Sequence, residues 1–403
     1  MTQSHRTSRP PLGGGFLRIL FLALLASLFS TLACDSPTGP SGQFQQPLQT
    51  NDGWETAALQ DVGIRPAPLR ELLDLIDGTD GHLIHSLLIV KDQKLVFEGY
   101  WPGSDLNPVG LDPVEKDFDR ETLHYVASVS KSITSALAGI AFDEGFIGSV
   151  EEPVFDHFPD HVDLRTDQTA QITLKHLLSF SSGFHWNEFV YGFDDPRDSH
   201  NMMFASEDPI RHLLGRPMDT NPGAEFHYNS GDTNLLGEII RRASSSNTLI
   251  DFAVEHLFDP LGIDTFEWTR FGWAPEVTFA SGGASLRPRD MAKLGALYLN
   301  GGTWNGTRVL PQAWINESTE MAVPLMGNYL TLYGYGYNWW LGRFQVQGTL
   351  VEYFRAAGWG GQDIFVIPDL EMVIVFTAGG FYEALPLHVN DMIQNYILPA
   401  VSD

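Results

Sequence analysis

The sequence has a single cysteine among its 403 residues, so no disulfide can form within the chain. Charged residues are also scarce, at 18 %, and unbalanced, because 24 lysines and arginines stand against 50 aspartates and glutamates. The net charge of −26 repels nucleic-acid phosphates and anionic headgroups, which argues against a nucleic-acid partner. The apolar share of 43 % is enough for one large folded unit, and it excludes disorder and fibrous repeats.

The N-terminal residues have the layout of a secretion signal. Three arginines stand before or at the start of an apolar run from Ile19 to Leu32, and small residues follow it. The run is shorter than the roughly 20 apolar residues that a membrane-spanning helix needs. We therefore expect residues 1–33 to be a signal peptide and the protein to be exported.

Cys34 lies directly after this run, where it resembles the acylated cysteine of bacterial lipoproteins, although Thr31 occupies the position where leucine is commonest. The resemblance implies a protein of the cell envelope that contacts a membrane only through its lipid. The alternative is an ordinary secretory signal with an incidental cysteine. Residues 34–54 are polar and rich in proline, glycine and glutamine, which predicts a flexible tether before a folded domain over 55–403.

Periodicity predicts the main elements of that domain. Strand patterns occur near both ends of the domain, and helical patterns dominate between about 150 and 285. The simplest assembly is an α+β fold, an α/β sandwich in which helices flank a sheet and a mostly helical lobe is inserted. The predicted elements are a helix over 68–76, a hairpin over 87–97, a buried helix over 128–144 and a second hairpin over 364–376.

Ser128 and Lys131 stand at the start of the buried helix, three residues apart and therefore on one face. A lysine amine removes a proton from serine only if its ammonium form is disfavoured. Burial and the positive end of the helix both act in that direction. The pair alone is a weak signal, but the apolar helix around it favours a catalytic lysine over a solvated one.

Two further segments carry candidate site residues. Tyr228 precedes a second helix and is a candidate proton relay if Lys131 keeps the pKa of its phenol low. On its own, a tyrosine in this position is more often a core aromatic than a catalytic residue. In the segment Gly358-Trp359-Gly360-Gly361-Gln362, the paired glycines allow close approach of a substrate, or else form a bulge.

In this order, the three segments resemble the serine β-lactamase and penicillin-binding-protein family, in particular its class C β-lactamase-like branch of esterases and 6-aminohexanoate-dimer hydrolases. The resemblance extends from about Ile84 to the C-terminus. Other segments that look like family landmarks are 172–183, 258–263 and 287–295.

The resemblance implies a β-lactamase/transpeptidase-like fold with an antiparallel sheet, and a role for each matching residue. Ser128 would be the acylated nucleophile, Lys131 its base and Tyr228 the proton relay. The backbone N–H groups of Ser128 and Gln362 would form the oxyanion hole. No cofactor or metal ion is implied.

Two departures from the family pattern concern the substrate. The Tyr-x-Asn element ends here in Ser230, and the Lys-Thr-Gly or His-Thr-Gly strand is replaced by Trp359-Gly360-Gly361. An indole has no positive charge with which to hold a substrate carboxylate. We therefore expect a small-molecule or peptide-like ester or amide as substrate. β-Lactamase or D-alanyl-D-alanine carboxypeptidase activity is the alternative.

Two other enzyme classes and a non-catalytic protein are the remaining alternatives. An α/β-hydrolase would need a Gly-x-Ser-x-Gly elbow, which the sequence lacks. His157 and His161 have the spacing of metal ligands on a helix, but Pro159 between them disfavours a regular helix. A non-catalytic, lipid-tethered binding protein of the cell envelope stays open, because a fold can persist after activity is lost.

Cys34 provides a direct test of the predicted location. Cells grown with labelled palmitate should yield labelled protein, and the Cys34→Ser variant should carry no label because it lacks the acceptor thiol. Equal labelling of both proteins would contradict the lipoprotein interpretation.

Overall fold

The computed structural model describes residues 44–107, 112–188, 190–191, 195–325 and 331–401. The predicted signal peptide and Cys34 lie outside these ranges. The described residues belong to one compact unit. Within them, no helix is both long enough and apolar enough to cross a membrane.

A large sheet forms the centre of the fold. The strands are β1 (Ile84–Lys91), β2 (Lys94–Tyr100), β3 (Gly103–Leu106), β4 (Pro113–Lys116), β5 (His124–Tyr125), β6 (Phe266–Trp268), β7 (Ala284–Leu286), β8 (Thr303–Trp304), β9 (Thr307–Arg308), β10 (Val323–Pro324), β11 (Leu332–Tyr335), β12 (Trp340–Val346), β13 (Thr349–Gly358), β14 (Gln362–Ile367) and β15 (Met372–Ala378). Among the described residues, eight of them pair antiparallel in the order β10-β11-β12-β13-β14-β15-β1-β2.

The sheet confirms both predicted hairpins and the joining of the two chain ends. Strand β1 lies between β2 and β15, and Leu88 is opposite Val375. These central strands are apolar at successive positions because both faces of the sheet are covered. The sequence analysis did not predict β11, β12 and β13, which extend the sheet beyond the late hairpin.

Helices cover both faces of the sheet. The helices are α1 (Pro66–Asp77), α2 (Val129–Asp143), α3 (Leu174–Leu178), α4 (Ser199–Ala205), α5 (Pro209–Leu214), α6 (Ser230–Ser244), α7 (Leu249–Ala253), α8 (Asp259–Leu261), α9 (Pro288–Leu299), α10 (Gln312–Ser318), α11 (Val389–Met392) and α12 (Leu398–Ala400). Short 3₁₀ turns lie at Leu59–Val62, Val154–His157, Pro159–Leu164, Thr169–Gln171 and Pro368–Leu370, and π-helical turns at Val254–Phe258 and Ile393–Ile397.

Each face of the sheet has its own core. On one face, α1 and the C-terminal helices pack against Ile89, Phe365 and Ile374. On the other, α2, α6 and α9 pack against alternate residues such as Leu88 and Val375. The predicted insertion is mostly helical, as expected, although its strand β7 pairs with both β5 and β6 in a small separate sheet.

The N-terminal segment from 44 to 54 differs from the prediction of a flexible tether, because it is packed onto the domain. Arg289, near the start of α9, is 3 % exposed and donates hydrogen bonds to the Leu48 carbonyl, Thr50 Oγ1 and Asp52 Oδ2 at 2.8–3.0 Å. Its guanidinium also binds both carboxylate oxygens of Glu98 on β2. A buried guanidinium needs such partners, and the chain supplies them from this segment.

The Arg289 network predicts a large stability effect. Arg289→Ala should lower the free energy of unfolding by about 3–5 kcal/mol, because it removes the guanidinium that binds both oxygens of the buried Glu98 carboxylate and leaves the more distant Arg120, at 3.9 Å, beside it. Urea denaturation measures the change. Arg308→Ala is the matched control, since Arg308 is 62 % exposed and pairs with Asp143 at the surface. Arg308→Ala should change the free energy of unfolding by less than about 1 kcal/mol. Equal losses of stability in the two variants would contradict the stabilising role of the Arg289 network.

Candidate active site

Ser128 lies at a strained turn between β5 and α2. The preceding residue, Ala127, has a positive φ of 46°, a conformation that alanine rarely adopts. The turn is held by backbone hydrogen bonds from Val129 to Val126 and from Ser130 to Ala127, at 3.1 Å each. Ser128 is the N-cap residue of α2 and stays partly exposed, while most of the helix behind it is buried. The turn therefore presents one serine hydroxyl at the edge of the core.

Lys131 is 2 % exposed and directs its amine at Ser128, as the sequence predicted. Lys131 Nζ lies 2.9 Å from Ser128 Oγ and 2.8 Å from the carbonyl oxygen of Ser281. Burial lowers the pKa of Lys131 to about 8, although the negative charge of Glu188 acts in the opposite direction. At pH 7 about a tenth of such amines are neutral, which makes this lysine a usable base.

The carbonyl that accepts from Lys131 is itself fixed in place. Asn234, on α6, exchanges two hydrogen bonds of 3.1 Å with Ser281, one to its hydroxyl and one from its backbone N–H. Thr134, one turn after Lys131, donates to the neighbouring carbonyl of Ala280 at 2.9 Å. The lysine is therefore oriented by two elements that lie more than 100 residues away along the chain.

Tyr228 meets the same pair from the end of the loop before α6. Lys131 Nζ lies 4.9 Å from the centre of the Tyr228 ring, and the phenol hydrogen-bonds with Ser128. The ring packs against Trp340 and Phe180, with ring centres 5.8 and 4.9 Å away. The structure thus brings Ser128, Lys131 and Tyr228 together.

The expected low pKa of Tyr228 is wrong. Burial raises the pKa of this phenol well above its ordinary value, and the charge of Glu188 raises it further, while the hydrogen bond from Ser128 lowers it only in part. The cost of desolvating a phenolate therefore outweighs the hydrogen bond with Ser128. Tyr228 therefore keeps its proton and can act as a donor, rather than as a standing base.

Ser230, where this chain departs from the Tyr-x-Asn element, is a candidate substrate-binding residue, and its buried hydroxyl is hydrogen-bonded within the protein. Ser230 Oγ donates to Glu188 Oε1 at 2.8 Å, and the Ser230 backbone N–H donates to Glu188 Oε2 at 3.0 Å. Sequence reasoning missed Glu188. The only signal was an acidic residue two positions after Trp186, just beyond the landmark segment 172–183.

Gln362 begins β14 beside the strained turn. It is fully buried, and its side-chain amide exchanges hydrogen bonds with the backbone N–H and carbonyl of Ala378, which fixes the strand. Its partner in the sheet, Gly358, lies so close to the Val126 carbonyl that an added Cβ would stand 2.3 Å from that oxygen. Strand β13 therefore abuts the turn that carries Ser128. The oxyanion-hole role of the two backbone N–H groups stays a prediction.

Positions 360 and 361 favour glycine, because the φ angles of Gly360 and Gly361 are 90° and 94°, which other residues rarely adopt. The close approach that they permit is to the protein itself. A Cβ on Gly360 would lie 2.6 Å from the Phe381 ring, and one on Gly361 would lie 2.6 Å from Leu385. Close approach of a substrate to the backbone of these glycines stays a prediction.

Trp359 belongs to an aromatic cluster next to the turn. Its ring packs edge-on against Phe381 and Tyr382, at 5.3 and 5.4 Å between ring centres. The same cluster includes Tyr125 and Ala127, the residue before Ser128. Trp359 and Phe381 therefore form an apolar wall beside Ser128.

Arg355 does not supply the missing cation beside Trp359. Its guanidinium binds Asp363 at 3.2 Å and lies 5.2 Å above the Phe365 ring. Phe365 belongs to the core on the face of the sheet opposite α2. The arginine is therefore engaged on the far side of the sheet from Ser128.

The two histidines with metal-like spacing lie on separate short turns, and the chain between them is kinked at Phe158 and Pro159. His157 Nε2 faces Glu152 at 3.0 Å, while His161 lies beside Asp160. Across the described ranges, no three histidine, cysteine or acidic side chains form a metal-binding group.

A family model described as Beta-lactamase matches residues 81–394. The chain belongs to the beta-lactamase family. That family match covers the sheet, the inserted helices and all the candidate catalytic residues described above.

Individual relatives are more distant. The chain is 27 % identical over 215 residues to the 6-aminohexanoate-dimer hydrolase of Paenarthrobacter ureafaciens, covering 50 % of this chain and 51 % of that protein. It is 28 % identical over 196 residues to the lovastatin esterase of Penicillium rubens, covering 44 % and 47 %. The chain therefore matches only about half the length of these relatives.

The fold matches that of a penicillin-binding-protein homologue from Caulobacter crescentus, with a TM-score of 0.61. Sequence identity is 18 %, and the match covers 83 % of this chain and 97 % of the other. The predicted β-lactamase/transpeptidase-like fold is confirmed.

Proposed function

We propose that this member of the beta-lactamase family is a serine hydrolase that cleaves neutral carboxylic esters or amides through an acyl-enzyme on Ser128. The observation that carries the proposal is the 2.9 Å contact between Ser128 Oγ and the buried amine of Lys131. Burial gives that amine a pKa of about 8, so a neutral base is available at ordinary pH.

The proposed reaction begins when neutral Lys131 takes the Ser128 proton and Ser128 Oγ bonds to the substrate carbonyl carbon. Collapse of the tetrahedral intermediate breaks the bond to the alcohol or amine, which takes its proton from Tyr228. The Lys131 ammonium returns a proton to Tyr228. Water then attacks the acyl-enzyme by the reverse transfers and releases the acid. The high pKa of Tyr228 fits this scheme, since a protonated phenol is needed when the leaving group departs.

The wall beside Ser128 supports the choice of a neutral substrate. Trp359, Phe381 and Tyr382 offer aromatic area for an acyl or alcohol group, with no positive charge of their own. The net charge of −26 also repels anionic substrates. The relatives' names, a dimer hydrolase and an esterase, agree with amide and ester bonds as the substrate class.

We also propose that the hydrolase acts in the cell envelope, held by a lipid on Cys34. This location follows from the N-terminal sequence alone. It would place the substrate outside the cytoplasm.

The nucleophile is tested by Ser128→Ala. Because the variant has no hydroxyl to acylate, it should lose at least about a thousandfold in kcat on short-chain p-nitrophenyl esters. Circular dichroism should show an unchanged fold. Ser135→Ala is the matched control on the same helix, since the Ser135 hydroxyl bonds to the Tyr337 carbonyl away from the site, and it should keep its activity. Full turnover by Ser128→Ala would contradict the assignment of Ser128 as the nucleophile, whereas lack of turnover in the unaltered protein would favour a non-catalytic protein.

The substrate class is tested by comparing a neutral ester with the anionic β-lactam nitrocefin. We expect kcat/KM for the ester to be higher by at least about a hundredfold, roughly 2.7 kcal/mol, because no cation beside Trp359 holds the nitrocefin carboxylate. Trp359→Lys should lower the ratio of the two kcat/KM values, because it adds a positive charge at position 359. Trp359→Met is the uncharged control and should not lower that ratio. Equal turnover of both substrates by the unaltered protein would favour a β-lactamase instead.

A further inference from the structure

The Glu188 carboxylate lies directly behind the proposed proton relay. It accepts hydrogen bonds from Trp186 Nε1 at 2.6 Å, from the Ser230 backbone N–H at 3.0 Å and from Ser230 Oγ at 2.8 Å. Ser230 is the first residue of α6 and stands two positions after Tyr228. These bonds therefore fix the segment that carries Tyr228 against the loop that carries Glu188.

The same carboxylate acts electrostatically on the groups that face the site. Its charge raises the pKa of Lys131 and adds to the effect of burial on Tyr228. His200, on α4, feels both Glu188 and Lys131, but burial lowers its pKa to about 4, so it is neutral at ordinary pH. Among these groups, Glu188 is the one whose negative charge stabilises the Lys131 ammonium and so partly offsets the effect of burial on its pKa.

We propose that Glu188 is a positioning residue of the hydrolase, one whose hydrogen bonds hold the Tyr228–Ser230 segment in place and whose carboxylate keeps a negative charge next to that segment. This inference rests on the proposed function. Removing the negative charge of Glu188 favours the neutral form of Lys131, because nothing from Glu188 then offsets the lowering of its pKa by burial. Removing the hydrogen bonds loosens Tyr228. A purely structural role for Glu188 would produce the second effect without the first.

The decisive experiment is the pH dependence of kcat/KM for a neutral p-nitrophenyl ester, together with the pH dependence of Ser128 labelling by a fluorophosphonate. In the unaltered protein, both rates should rise with pH and level off above about 8, as Lys131 loses its proton. Glu188→Gln keeps the size of the side chain and removes the charge. It should shift the rising limb to lower pH by at least about half a unit and lower the plateau severalfold.

Two variants separate charge from hydrogen bonding. Glu188→Asp keeps a carboxylate, so its rising limb should stay closer to that of the unaltered protein than the limb of Glu188→Gln does. Ser230→Ala keeps Glu188 but removes the 2.8 Å bond, so its plateau should fall severalfold with little shift of the limb. Glu255→Gln is the matched control, since Glu255 is 76 % exposed on the surface, and it should leave both rates unchanged.

The outcomes decide the proposal. A Glu188→Gln limb that stays in place or moves to higher pH would overturn the electrostatic role. If that variant fails to fold by circular dichroism, unchanged plateaus in both Glu188→Asp and Ser230→Ala would overturn the positioning role, and lowered plateaus would support it. Absence of Ser128 labelling in the unaltered protein would instead contradict the proposed function itself.

Discussion

The desolvation of one amine is the constraint on which the rest of the structure depends. Lys131 can serve as a base only where water is excluded, and an ammonium is excluded from such a place unless its protons have acceptors. The Ser281 carbonyl and the Ser128 hydroxyl accept them at 2.8 and 2.9 Å. The sheet on one side and α6 on the other complete the enclosure, which is why α2 is apolar or small-chained at almost every position.

Much of this arrangement could be predicted from local sequence. The hairpin of β14 and β15 and the helix after Ser128 follow from periodicity, because each has the spacing of apolar residues that its buried faces require. The order of the three motif segments then identified the family. Strands β11 to β13 were missed, since the first of them reads Leu-Tyr-Gly-Tyr and carries glycine in place of an alternating pattern.

The features that could not be predicted all depend on partners far apart in the sequence. Arg289 determines the conformation of the segment near Leu48, 241 residues away, and that segment alone reads as a polar tether. The pKa of Tyr228 depends on burial, on the charge of Glu188 and on a hydrogen bond with Ser128, none of which composition reveals. The contact of Glu188 with Ser230, 42 residues away, exists only in the folded protein and has no local sequence signal.

The apolar wall beside Ser128 packs on a buried polar cluster, in which Asp105 lies 3.6 Å from His124 and binds Lys116 at 2.7 Å. His85 Nδ1 and His124 Nε2 lie 2.8 Å apart beneath this wall, and the His124 ring stacks on Phe381 at 6.5 Å. Burial lowers the pKa of both histidines, so the pair is neutral at ordinary pH. Neither the histidine pair nor Trp359 therefore places a positive charge in the apolar wall, and the charge that acts on Lys131 is the negative one of Glu188.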